Sequence, residues 1–156
     1  MTKHLERGLT ALALTALPLL ATAPPVHAAA VPRYFQIGSQ LNGKCLASDG
    51  DDVEVRTCGA GASDQLWYWS DKKLVNAAEE HCLDVRKGKA DAAAQVFADC
   101  HGRANQRWYK EGSWLRTEAT GQCLSIQNKG DEREHAGLDL RACGTHTWQW
   151  WSLPAS

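Results

Sequence analysis

Several signatures of an enzyme, a metal protein or a membrane protein are missing from this sequence. It has no G-x-S-x-G and no H-E-x-x-H, the short motifs of a hydrolase nucleophile elbow and a zinc protease. None of its cysteines stands in the close C-x-x-C spacing that a zinc site wants, so no metal and no cofactor are expected. It has no run of basic residues, with 17 Lys and Arg against 18 Asp and Glu. Nucleic-acid binding, which rests on phosphate neutralisation, is excluded on that ground, as is an anionic membrane surface. The apolar stretch from Leu9 to Ala23 is broken by Thr10, Thr15, Pro18 and Thr22. It falls short of the roughly 20 residues of a membrane span, so no membrane insertion is expected.

That stretch reads instead as an address. Lys3 and Arg7 precede it, and Val26-His27-Ala28 and then Ala28-Ala29-Ala30 offer small residues where a signal peptidase cuts. The order is that of a secretory signal peptide over residues 1–28, with cleavage after Ala28 or Ala30. No twin-arginine pair is present, which favours the general secretory route. A secreted, extracellular protein of 126 to 128 residues is expected. That length makes one domain with a real core and leaves no room for a separate catalytic domain. Beyond Ala28 the chain keeps 15 basic and 17 acidic residues, a net charge of −2 with histidine neutral.

All six cysteines, Cys45, Cys58, Cys82, Cys100, Cys123 and Cys143, follow this segment. An even count behind a signal peptide implies disulfides. An internal repeat orders them. Gln65-Leu66-Trp67, Gln106-Arg107-Trp108 and Gln149-Trp150-Trp151 are three Q-x-W triplets whose last tryptophans lie 41 and 43 residues apart. Cys58, Cys100 and Cys143 precede the three glutamines by seven, six and six residues. Cys45-Leu46, Cys82-Leu83 and Cys123-Leu124 open the units, and Ile37, Leu74 and Leu115 stand eight residues before those cysteines. One register therefore runs through the chain. Each unit holds two cysteines at equivalent places, so Cys45–Cys58, Cys82–Cys100 and Cys123–Cys143 is the symmetric local pairing.

The units read as β structure. Val53 and Val55, then Leu138 and Leu140, alternate with polar residues as in half-buried strands. Asn42-Gly43, Asp49-Gly50, Lys87-Gly88 and Lys129-Gly130 punctuate them as turns. One unit of about four short strands cannot bury its own apolar face, so three must close around a threefold axis. Trp67, Trp108 and Trp151 are expected in the shared core, with the Q-x-W glutamines satisfying buried backbone groups.

Three units with Cys-Leu near the start and C-x(5,6)-Q-x-W at the end resemble the ricin-type (ricin B-chain-like) lectin domain. The resemblance covers about residues 33–153, in repeats 33–70, 71–111 and 112–153. It implies an all-β fold, the β-trefoil. It also implies binding of galactose- or xylan-type glycans, with up to one shallow pocket per repeat. Such a fold offers no deep cleft to raise the pKa of one carboxylate, which argues against a glycosidase and for a non-enzymatic lectin.

The family's pocket uses an Asp two residues after the first cysteine, a Gln and an exposed aromatic on the strand before the second, and an Asn before the Q-x-W Gln. Vicinal hydroxyls suit a carboxylate and amides, and the sugar's C–H face suits a ring. Repeat one has Ala47, Glu54, Arg56 and Asp64 at these places, and repeat three has Ser125, Asp139, Arg141 and Trp148. Both are expected to have lost the pocket. Repeat two keeps Asp84 and Asn105. Two registers are open for its Ala94 to Cys100 strand. Counting back from Cys100 buries Gln95 and Phe97 in the core. An extra residue bulging before Cys100 instead turns Ala94 and Val96 inward and Gln95 and Phe97 outward. The second register is favoured, because a buried Gln95 without a partner is unfavourable. The candidate carbohydrate-binding residues are Asp84, Gln95, Phe97, Asn105 and Gln106, with His101 or Tyr109 as the ring if Phe97 is buried. His81, His135 and His146 have no motif partner, and Asp131 to His135 reads as a solvated charge run. The competing reading is a degenerate trefoil acting through protein contacts, as an adhesion or delivery subunit or an inhibitor.

Overall fold

The computed structural model describes residues 31–155, so the expected signal peptide lies outside the described residues. Each repeat contributes four short strands. They are β1 (Gly38–Ser39), β2 (Cys45–Asp49), β3 (Asp52–Arg56) and β4 (Trp67–Ser70) in the first. The second has β5 (Lys73–Asn76), β6 (Cys82–Val85), β7 (Ala94–Phe97) and β8 (Trp108–Glu111). The third has β9 (Trp114–Thr117), β10 (Cys123–Ile126), β11 (Ala136–Arg141) and β12 (Trp151–Ser152).

The two middle strands of each repeat form a hairpin: β2–β3, β6–β7 and β10–β11. The outer strands pair across repeat boundaries: β4–β5, β8–β9 and, closing the ring, β12–β1. The three hairpins meet where β3 pairs with both β7 and β11 and Ala93 bridges Asp139. The molecule is a β-trefoil, and its ring closure removes the exposed edges that an open sheet would present. Among the described residues no helix is long and apolar enough to cross a membrane, and no group of His, Cys, Asp and Glu is placed to hold a metal.

The repeat's invariants are the frame. Trp67, Trp108 and Trp151 are fully buried, as are Ile37, Leu74 and Leu115. A buried indole N–H needs an acceptor. Each finds one in the Leu carbonyl after the first cysteine: Trp67 to Leu46 at 3.0 Å, Trp108 to Leu83 at 2.9 Å and Trp151 to Leu124 at 3.0 Å. The glutamines staple the loop after the second cysteine. Gln65 accepts from the Gly59 N–H and donates to the Thr57 carbonyl, and Gln149 does the same with Gly144 and Ala142. The disulfides join Cys45–Cys58, Cys82–Cys100 and Cys123–Cys143, at sequence separations of 13, 18 and 20. Loops of that size correspond to about 3 kcal/mol each in the chain-entropy account.

Candidate functional site

Repeat two places its chemistry on the outer face of the β6–β7 hairpin. Cys82 faces Phe97, Leu83 faces Val96 and Asp84 faces Gln95. In the other repeats Cys45 faces Arg56 and Cys123 faces Arg141. Phe97 is therefore the counterpart of the two arginines, and Cys100 comes one residue later after it than Cys58 and Cys143 do after theirs. The core register for Phe97 is excluded: Ala94 and Val96 are buried, whereas the Phe97 ring is 44% exposed. The extra residue does not interrupt the ladder as a bulge would. It is taken up by Ala98–Asp99 beyond the end of β7.

Asp84, on β6, sits at the floor. Its Oδ1 accepts the Gln95 amide at 3.0 Å and its Oδ2 accepts the Asn105 amide at 2.7 Å. Asn105 comes from the single 3-10 turn Ala104–Gln106. With one bond to each oxygen, the carboxylate keeps lone pairs for two further donors, and both amides keep their own oxygens as acceptors. Burial pushes the Asp84 carboxyl above the ordinary range, outweighing hydrogen bonding by Gln95 and by the nearby Gln106 and the charge of His101. Phe97 forms one wall with His101, whose ring centroid is 6.2 Å away and tilted by 53°. The opposite rim is the turn Arg86–Gly88, in which Lys87 adopts a left-handed φ of 59°. Together these groups enclose an open depression of about 250 Å³.

Four of the five candidates thus come together: Asp84, Gln95, Phe97 and Asn105. Gln106 does not. It is fully buried, and its side chain accepts from the Gly102 N–H and donates to the Asp99 carbonyl. It is a frame residue like Gln65 and Gln149 and does not line the depression. Arg86 and Lys87 were missed as rim residues, although they follow the Asp84 strand directly and carry a turn signal at Lys87-Gly88. Tyr109 pairs on β8 with Arg116 and stays out of the depression.

The family model of the ricin-type beta-trefoil lectin domain matches residues 33–151. The chain belongs to this family. No curated protein sequence matches the chain. Among solved structures the ricin-type domain here is similar to the agglutinin from Abrus precatorius, with a TM-score of 0.69 and 16% identity over 78% of this chain and 46% of that one. It is similar to the C-half of an earthworm R-type lectin in complex with GalNAc, with a TM-score of 0.64 and 18% identity over 80% of this chain and all of that one. A non-toxic homologue of type II ribosome-inactivating proteins from Momordica charantia, in complex with α-methyl-D-galactoside, gives 0.66 and 16% over 78% and 47%.

The other two pockets of this ricin-type domain differ from each other. In repeat one the fully buried Ala47 stands where Asp84 stands in repeat two. The Arg56 guanidinium stands where the Phe97 ring stands in repeat two and is engaged by acidic neighbours. It bonds Glu54, reaches Asp64 at 3.0 Å and stands 3.5 Å from Asp49. A loop of repeat three then docks beside it: Glu134 accepts from Lys44 at 2.9 Å and from the Thr57 N–H and hydroxyl at 2.9 and 2.8 Å. These bonds hold the Glu134 carboxyl down at about 2. His135 meets Glu54 at 2.8 Å. The Asp131 to His135 run is therefore partly a clasp between repeats and not only a solvated face. Repeat three has Ser125 in the Asp place, donating to the Ile126 carbonyl at 3.4 Å, yet an open depression of about 320 Å³ remains there.

Proposed function

We propose that this protein is a secreted carbohydrate-binding module whose principal site is the repeat-two depression, holding one galactose- or xylan-type sugar. The observation that carries the reading is Asp84 fixed between the Gln95 and Asn105 amides beside the half-exposed Phe97 ring. This set offers a carboxylate and two amide oxygens to adjacent hydroxyls and a ring to the apolar sugar face. The sugars in the earthworm and gourd complexes, GalNAc and α-methyl-D-galactoside, support the galactose class. Asp84 is the one carboxylate lining the depression among the described residues, so the arrangement suits binding and lacks the carboxylate pair of a glycosidase. The signal-peptide pattern and the three disulfides support an extracellular setting.

A shallow site with one ring binds weakly. A millimolar Kd corresponds to about 4 kcal/mol, and useful retention then needs clustered sugars or several copies of the protein. Calorimetric titration of the protein from residue 29 onward against galactose, lactose and xylan tests the proposal. Millimolar binding that Phe97→Ala removes without moving the thermal midpoint is the expected result. If no sugar binds at tens of millimolar, the reading fails and the protein-contact alternative replaces it.

A further inference from the structure

We infer that repeat three holds a second, rebuilt site, selective for an acidic saccharide, a pyranose carrying a carboxylate or a sulfate. Its depression is lined by Ser125, Asn128, Lys129, Asp139, Arg141 and Trp148 and exceeds that of repeat two, about 320 Å³ against about 250 Å³. Register explains what changed. Arg141 faces Cys123 as Phe97 faces Cys82, and Trp148 precedes Gln149 as Asn105 precedes Gln106. The ring and the polar group have exchanged walls. The set of parts a sugar needs is still present, arranged in the opposite sense.

Each part is built in. The Trp148 indole lies flat on His146, with centroids 4.1 Å and planes 7° apart. Gly130 gives it room, since a Cβ there would stand 3.1 Å from Trp148 Cβ and 3.3 Å from Cε3. A fixed indole is the platform that a pyranose C–H face prefers. Asp139 is only 6% exposed. Its Oδ2 is taken by the Arg141 guanidinium, but its Oδ1 is buried with no hydrogen-bond partner among the described residues. The same pairing fixes the Arg141 guanidinium on the wall of the depression, with Asp139 held behind it.

The charges name the class. Arg141 is half exposed and offers Nη1, which has no partner among the described residues. Lys129, on the facing turn, has no acidic partner among them either. Two cations stand around one carboxylate, and a guanidinium fork matches a carboxylate or sulfate in geometry as well as charge. A neutral pyranose would leave these donors to water.

The test is an NMR titration of the protein from residue 29 onward with galactose, galacturonate and galactose 6-sulfate. The Trp148 indole N–H reports repeat three and the Asn105 side-chain amide reports repeat two, so failure of one site is distinguishable from failure of the other. At Trp148 an acidic sugar is expected to bind about fivefold or more tighter than galactose. Response to galacturonate identifies a carboxylate ligand and response to the sulfate ester identifies a sulfated one. Lys129→Gln, an exposed change that leaves the fold alone, should weaken the acidic sugar about threefold. The paired change Asp139→Asn with Arg141→Gln removes both charges together, so neither is left buried without its partner, and should abolish the preference. A Trp148 signal unmoved by all three sugars at tens of millimolar overturns the inference. So does one moved equally by galactose, or one that responds in both variants as in the parent.

Discussion

Repeats one and two carry the same hairpin in the same register, yet one places an arginine, engaged by acidic neighbours, where the other places a phenylalanine. Arg56 bonds Glu54 and Asp64 across the space that Phe97 borders in repeat two, and Ala47 replaces the anchoring carboxylate. The frame beneath them is unchanged. Its tryptophans and glutamines bond to backbone groups, a Leu carbonyl and the loop after the second cysteine, and every repeat supplies those groups whatever its side chains. Pocket residues bond chiefly to one another. They can therefore differ from repeat to repeat while the frame beneath stays the same.

The contrast breaks most visibly at the frame. Trp67→Ala, Trp108→Ala and Trp151→Ala should each cost about 3–5 kcal/mol in denaturant unfolding, because each empties the same central layer. A Trp108→Ala protein that unfolds like the parent and merely loses sugar would show that this tryptophan belongs to the site. A smaller effect sharpens the boundary between frame and pocket. Gln106→Ala leaves the Gly102 N–H and the Asp99 carbonyl unpaired and should cost about 1–3 kcal/mol, while the folded fraction still binds sugar. Gln65→Ala and Gln149→Ala should behave alike. Selective loss of binding in Gln106→Ala at unchanged stability would return Gln106 to the site.

The frame was legible because its signals recur: three Q-x-W triplets, three Cys-Leu steps and constant offsets determine one another. The pocket was less legible because each repeat states it once. Asp84 and Asn105 could be read from their distance to an invariant residue. Phe97 could not be settled, since one extra residue before Cys100 shifts the count, and only the ladder facing Cys82 decides it. Gln106 was misplaced because its sequence neighbour Asn105 does line the depression, and adjacent residues in a 3-10 turn point different ways. In repeat three Arg141 and Trp148 stand at places the sequence reads as a lost pocket. A position-by-position comparison cannot show that Trp148 and Arg141 border the same depression.

The finest distinction concerns Asp84 itself, where binding and stability should respond to pH in opposite senses. Its carboxyl is raised by burial, so folding favours the protonated form. An unfolded Asp titrates near about 3.9. Below that value both states are protonated and burial costs nothing. As pH rises from there through the raised folded value, the carboxylate must be held ionised in a buried place, and stability falls to a constant lower level. Sugar binding needs the ionised acceptor, so it appears over that same window and is lost, on acidification, at a higher pH than an ordinary Asp would give. Asp84→Asn separates the two effects. The Gln95 or Asn105 amide can turn to offer its oxygen to the new NH2, so the hydrogen-bonded floor survives. We expect D84N to lose at least about tenfold in sugar affinity at pH 7, equivalent to about 1.4 kcal/mol. Its thermal midpoint at that pH should match or slightly exceed the parent's, and the difference should vanish near pH 3. Calorimetric titration and thermal scans across pH 3 to 8 measure both. A D84N protein that binds as well as the parent, or that melts well below it at pH 7, would make Asp84 a structural carboxylate and leave repeat two without an anchor.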